Sequence, residues 1–280
     1  MKADTKKDSG GRRRRTLFLI GFSLVVILLV MLTGLLADPN LYRANYTQKN
    51  FPPSAAHLFG TDYMGRDMFF RTMKGLSSSI LIGMFASALS SLLSIVVGLV
   101  ASCGSKRADQ ICLWLINCFM GIPGLVMLML ISYGLGGGIK GVVVGVAVTH
   151  WPDLARVIRA EVLSVRSSQY VQAAEMMGRT RLQIATGHIV PYVFPQFLTG
   201  LILMFPHAIL HEAGITFLGF GLPLESPAVG AILSESMQQI ATGQWWLVLF
   251  PGLSLLIIVS LIDSIGDNVR LLMNPYSVQE

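Results

Sequence analysis

The sequence predicts an all-α, polytopic membrane protein with six spanning helices, on three observations. Apolar residues make up 53% of the chain and charged residues 13%, about half the charge of an ordinary soluble domain. Windows free of charge recur along the 280 residues, most of them long enough to supply the roughly twenty residues a helix needs to cross a bilayer. Basic residues are unevenly placed: seven of the 21 fall within the first fifteen positions, with Arg12 to Arg15 directly ahead of an apolar run. A net charge of +6 is often a nucleic-acid signal, but this placement suits an anionic inner leaflet instead.

The first span is Thr16–Leu36, 21 residues without a charge. A cleavable signal core runs about 7–15 residues, so this stretch reads as an uncleaved span. The polar segment Asp38–Lys74 follows. Gly75–Ser105 is the second span, ended by Lys106, Arg107 and Asp109. Gln110–Ile139 is the third, with a kink expected at Pro123-Gly124 and a glycine turn at Gly134 and Gly136–Gly138. Gly141–Trp151 is short for a span and is completed to about Ile158 if Asp153 and Arg156 lie at a membrane edge. Glycines 137, 141 and 145 recur every fourth residue, the small-xxx-small spacing that lets helices approach closely. The fifth span runs from Pro191 to about Leu218 and the sixth from Trp245 to Ile262, with Trp245-Trp246 suited to an interfacial belt.

Six spans with both termini inside place fifteen Lys and Arg on the inner side and six on the outer. The positive-inside rule therefore puts the loop Arg156–Pro191 in the cytoplasm and Asp38–Lys74 outside. The chain divides into a basic cytoplasmic tail (1–15), a first span with its external segment (16–75), and a core (76–280) that contains the polar loop 164–191. Cys103, Cys112 and Cys118 form no CxxC pair and read as small apolar packing residues.

That loop carries the strongest local signals. Ser167 or Ser168 is placed to cap a short helix through Tyr170, Ala173, Ala174 and Met177. Gly178 permits a sharp turn. Thr180 with Gln183 is a capping box for a second short helix ending near His188, and Pro191 suits the start of the fifth span. The product is a stiff elbow with a small-residue face, joined to a membrane helix.

The elbow's residues Tyr170, Val171, Ala173, Ala174, Gly178, Ile184, His188, Ile189 and Pro191 resemble the EAA loop of the dipeptide, oligopeptide and nickel branch of ABC importer permeases. Gln172 stands where that family carries Glu, so an ionic contact falls instead to Glu175, one turn along. HLFGTDYMGRD at His57–Asp67 resembles the family's HxxGTDxxGRD, on Gly60, Thr61, Asp62, Gly65, Arg66 and Asp67. AGITFLGFG at Ala213–Gly221 resembles its SFLGLG stretch, with Thr216 for Ser. The resemblance implies the type I importer permease fold and a cell-membrane location. It also implies a second permease subunit, two cytoplasmic ATPases and an extracytoplasmic substrate-binding protein as partners. Tyr170, Ala173, Ala174, Glu175, Gly178, Arg179 and Pro191 would couple to the ATPases. The sequence contains no GxxxxGK[ST] loop, so no cofactor is expected on this chain and ATP with Mg belongs to the partners.

For the cargo, His207 and His211 leave one face of the fifth span, with Met204 a turn earlier and Glu212 adjacent. Ionisable groups at membrane depth mark a pathway unless they find partners, and imidazole suits nickel, zinc and copper. The HxxxHxAG spacing resembles nickel-type permeases, which favours nickel or a metal chelate held transiently by His207 and His211. Short peptides are the alternative. An intramembrane metalloenzyme is a distant rival, since no HExxH arrangement or third ligand accompanies these residues.

Overall fold

The computed structural model describes residues 5–273. Ten α-helices account for the architecture: α1 (Thr5–Leu36), α2 (Met68–Cys103), α3 (Lys106–Met120), α4 (Gly124–Gly134), α5 (Gly138–Arg166), α6 (Gln169–Met176), α7 (Arg181–Ile184), α8 (Val190–Phe217), α9 (Val229–Met237) and α10 (Trp246–Met273). Among the described residues, five helical stretches are long and apolar enough to cross a membrane by themselves, and α3 with α4 makes a sixth if the bent pair counts as one span.

The differences from the expected spans have physical causes. Helix α1 begins at Thr5, ahead of the charge-free window; residues 1–4 lie outside the described ones, as do residues 274–280. Helix α2 starts at Met68, because Asp67 caps it by accepting the N–H groups of Phe69 and Phe70. It thereby takes in Arg71, whose charge is met by carboxylates. The kink at Pro123 is a bend of 92° between α3 and α4: Gly121 ends one helix, and Pro123, with no N–H to give, begins the next. The stretch that looked too short becomes α5, 29 residues through Pro152. One of its charges, Arg159, is met by Asp109 of α3 through two hydrogen bonds of 2.6 and 2.8 Å. Helix α10 continues past Ile262 to Met273, carrying Asp263 and Asp267 with it.

Helix α2 is the central post, packed by α1, α5 and α8. Small residues set the approach. A Cβ on Gly98 would sit 2.8 Å from Ile158 of α5, and one on Gly83 2.6 Å from Ile209 of α8. Gly141 and Gly145 are where α4 closes on α5, against Ser132 and Leu128, while Gly137 lies in the turn before α5 with φ +70. One apolar cluster joins Leu76 and Ile80 to Ile209 and Ile258. Another, around Ile158, Val162, Val171 and Ile189, roots the elbow on α5 and α8. The three cysteines are free.

Candidate functional site

The elbow has the expected two-helix form with a different join. Gly178 adopts φ +78, the left-handed turn that glycine alone takes without strain. Thr180 and Gln183 form the reciprocal box: the Thr180 N–H donates to Gln183 Oε1 at 3.0 Å, and the Gln183 N–H to Thr180 Oγ1 at 3.3 Å. Ser168 occupies the cap position of α6, but its hydroxyl donates back to the Val165 carbonyl and leaves the helix uncapped by a side chain. The second helix does not end at His188. Helix α7 passes through a π turn, Ala185–Ile189, directly into α8, so Pro191 lies just inside a continuous rod. Tyr170 meets His188 edge to face, ring centres 5.9 Å apart. Ala174 is buried against the rod, whereas Glu175, Gly178 and Arg179 are exposed. Met176 and Met177, which the sequence reading did not place among the coupling residues, are the most exposed apolar residues of the elbow at 83% and 81%.

At the opposite end of the bundle, His57–Asp67 folds into a charged clasp. Asp62 accepts Arg66 Nε at 2.6 Å and Arg71 Nη1 at 3.1 Å. Glu235 of α9 accepts Arg66 Nη2 at 2.7 Å and the Tyr63 hydroxyl at 2.6 Å, and its second oxygen accepts Arg71. Burial would raise the Glu235 carboxyl, but the Arg71 charge, with hydrogen bonds from Tyr63, Arg71 and Arg66, holds it at about 2. The same hydrogen bond, with burial, raises the Tyr63 hydroxyl. Asp67 pairs with His57 at 2.7 Å while capping α2. Thr61 is buried and bonded to the backbone of Gln48 and Phe51. Gly60 and Gly65 both have positive φ, and a Cβ on Gly65 would run into the Asn45 carbonyl. Glu235 and Arg71 were not expected members. A lone Glu 164 residues from its arginine carries no local signal.

The AGITFLGFG stretch is the hinge between α8 and its exit loop. Thr216 donates to Glu212 Oε1 at 3.1 Å and accepts the Leu222 N–H at 3.2 Å. The loop then hooks onto the turn before α5, where Ser132 donates to the Phe220 carbonyl at 2.7 Å and the Gly138 N–H to the Gly221 carbonyl at 3.0 Å.

The four residues named for the pathway separate onto two faces. Met204 and Glu212 are buried inside the bundle; Met204 receives the Ser91 hydroxyl at 3.8 Å and Glu212 serves the hinge. His207 is exposed and His211 half-buried. The partner the structure gives His211 is His150 of α5, ring centres 4.5 Å apart. Among the described residues no group of three or more His, Cys, Asp or Glu is placed to hold a metal ion, so His207 and His211 have no third donor.

A bundle of this form is found in a solved transporter. The model of the binding-protein-dependent transport system inner membrane component family matches residues 91–273, more than half of the chain. The chain belongs to that family. An oligopeptide transport system permease of Bacillus subtilis is 30% identical over 94% of this chain and 87% of its own. A Brucella suis permease provisionally assigned to peptide transport is 34% identical over 94% and 88%. In fold, the chain resembles the inward-facing MetNI methionine ABC transporter, with a TM-score of 0.61 over 74% of this chain and 97% of that one, at 18% identity. This is an ABC importer permease of the inner membrane, a transport subunit rather than an enzyme, working with ATPase and substrate-binding partners.

Proposed function

We infer that the chain is one of two permease subunits, each contributing half of a pathway for di- or oligopeptides. The cargo reading reverses the preference for nickel. Two observations support the reversal: among the described residues His207 and His211 lack a third metal donor, and the relatives' names speak of peptide and oligopeptide transport.

The observation that carries the coupling role is the unbroken rod from α7 through the π turn into α8. A push on the elbow is delivered to the membrane helix without a flexible joint. In this reading the elbow, 164–191, lies in the cytoplasm with both termini, as the distribution of basic residues supports, and the clasp lies outside. The exposed ridge of Tyr170, Glu175, Gly178 and Arg179 meets an ATPase, while Ala173 and Ala174 let α6 lie close, and Pro191 marks the rod's entry into the membrane. ATP and Mg are bound by the partners, whose closure would rock the two permeases as rigid bodies.

Replacing Gly178 by Val tests this. No atom lies within 4 Å of a Cβ there, so the chain still inserts, but φ +78 is strained for a β-branched residue. Reconstituted with its partners, the variant loses ATP-dependent Ala-Ala uptake while membrane insertion is normal. Undiminished uptake refutes the elbow. Wild-type protein that moves Ni²⁺ and no Ala-Ala refutes the cargo.

A further inference from the structure

Glu212 of α8 is 0% exposed, a depth at which an ionisable side chain calls for a reason. Close helix contacts set its surroundings. A Cβ on Gly83 of α2 would come within 2.6 Å of Ile209 of α8, and one on Gly75 within 3.2 Å of Val229 at the start of α9. These contacts run in opposite chain directions. Ser79, midway between the two glycines on the same face of α2, therefore looks toward the stretch beyond Ile209, where Glu212 lies. The Ser79 hydroxyl is close enough to act on the Glu212 carboxyl, yet Ser79 Oγ and Glu212 Oε2 are both buried without completing a hydrogen bond. The other oxygen, Oε1, accepts from Thr216 at 3.1 Å, and Thr216 accepts the Leu222 N–H at 3.2 Å. Gly221 presses on the same threonine, where a Cβ would run into Oγ1. The carboxyl thus sits between the exit loop of α8 and the central post α2.

No cation comes to meet it. Among the described residues Glu212 takes part in no ion pair. On α2, Arg71 is taken by Asp62 and Glu235, and Lys74 lies about 140° around the helix from Ser79. Helix α9 brings Glu235, itself engaged in the clasp. From α5, His150 stands against His211, and Lys140 is exposed in the first turn. Helix α10 adds the acids Asp263 and Asp267, with Arg270 exposed in its last turn. Tyr133 of α4 and His207 of α8 are exposed. A lone carboxylate in this setting costs more than hydrogen bonds from two hydroxyls return, and such a group takes up a proton instead.

We propose that Glu212 is a proton-binding site: it holds a resident proton on Oε2, and the neutral acid is the positioning residue that fastens the exit loop of α8 to α2. The hydrogens leave one place for that proton. Thr216 spends its single hydroxyl hydrogen on Oε1, so the hydrogen of the acid belongs to Oε2, the oxygen without a partner. Ser79 Oγ, equally without a partner, is its acceptor. The Leu222 N–H, Thr216, Glu212 and Ser79 then form one chain of donors and acceptors from the loop to the post. A carboxylate would leave the chain without its donor and place a bare charge among packed helices. Neither the cargo nor the ATPases enter into the assignment.

The test uses the full transporter in a detergent free of ester groups, with infrared difference spectra and hydrogen exchange over residues 218–222 as readouts. Glu212→Gln keeps a donor and an acceptor in the same shape; Glu212→Leu keeps the bulk alone; Ser79→Ala removes the acceptor. The wild-type spectrum should contain a carboxylic-acid C=O band that Glu212→Gln abolishes and Ser79→Ala moves. Exchange in the loop should stay slow in Glu212→Gln and quicken about five- to tenfold in Glu212→Leu, the loss of one hydrogen bond. A wild type in which Glu212→Gln removes only a carboxylate band overturns the resident proton. So does exchange in Glu212→Gln as fast as in Glu212→Leu, which would make the charge what positions the loop. An acid band unmoved by Ser79→Ala overturns the tie to α2. If Glu212→Leu fails to fold, the spectra and the Gln variant decide. Because these readouts need no substrate, they stand or fall apart from the peptide reading.

Discussion

At the clasp, ion pairs cross the fold: Arg66 and Arg71 reach Glu235 on α9, 169 and 164 residues away. At the elbow, the bonds of Thr180, Gln183 and Gln172 stay within a few residues, and its links to the bundle are the apolar seam of Val171, Ala174, Ile184 and Ile189 and the hydrogen bond that Arg166 donates to the Ser102 carbonyl. The clasp satisfies its own charges inside the chain. The elbow turns Glu175, Arg179 and two methionines outward. A segment complete in itself holds the bundle together; a segment with its polar and apolar groups unspent is built to meet something else. In the proposed coupling role, the membrane helices between them would turn this contrast into a lever with a fixed end and a driven end.

The contrast breaks most sharply at Arg71, whose side chain is 7% exposed and touches both Asp62 and Glu235. Arg71→Met leaves two carboxylates short of a buried partner, a loss of about 3–5 kcal/mol. Arg179→Met, on the exposed elbow, changes stability by less than about 0.5 kcal/mol. Thermal unfolding of the detergent-purified protein separates the two. Equal effects would mean the clasp is not what fastens that end.

Acid should loosen the same end. The Glu235 carboxyl sits at about 2 in the folded chain against an ordinary 4.5. Its contribution is therefore complete above the ordinary value and is lost as pH falls from about 4.5 toward 2, by at most about 3 kcal/mol. Unfolding midpoints measured across that window should drop in the wild type and flatten in Glu235→Gln. A wild-type curve as flat as the variant's would remove Glu235 from the clasp's energetics.

What the sequence made legible follows the range of the interaction. The capping box and the turn at Gly178 are set within four residues, and both are where the local pattern puts them. The spans are legible from charge-free windows, but their ends are not, because Arg71 and Arg159 enter helices through partners distant in sequence. The placement of the fifth span's polar residues was half legible. Helical spacing places His207 and His211 on one face, but says nothing of His150, which arrives from another helix. It also groups Met204 and Glu212 with them, although only packing decides that those two turn inward.

The finest test is at the driven end. Thr180→Ala removes the hydroxyl that accepts the Gln183 N–H and frees the first turn of the rod, a loss of about 1 kcal/mol. Because α7 is rooted by Ile184 and Ile189 in the apolar seam, that loss should stay local: hydrogen exchange rises over residues 181–187 while the unfolding midpoint barely moves. If the elbow is a rigid lever, even this small softening lowers uptake per ATP, because part of each stroke bends the rod instead of moving α8. Faster exchange with full uptake per ATP would mean that the π turn and the seam alone transmit the stroke, and that the stiffness resides in α8's own root rather than in the capped turn that begins it.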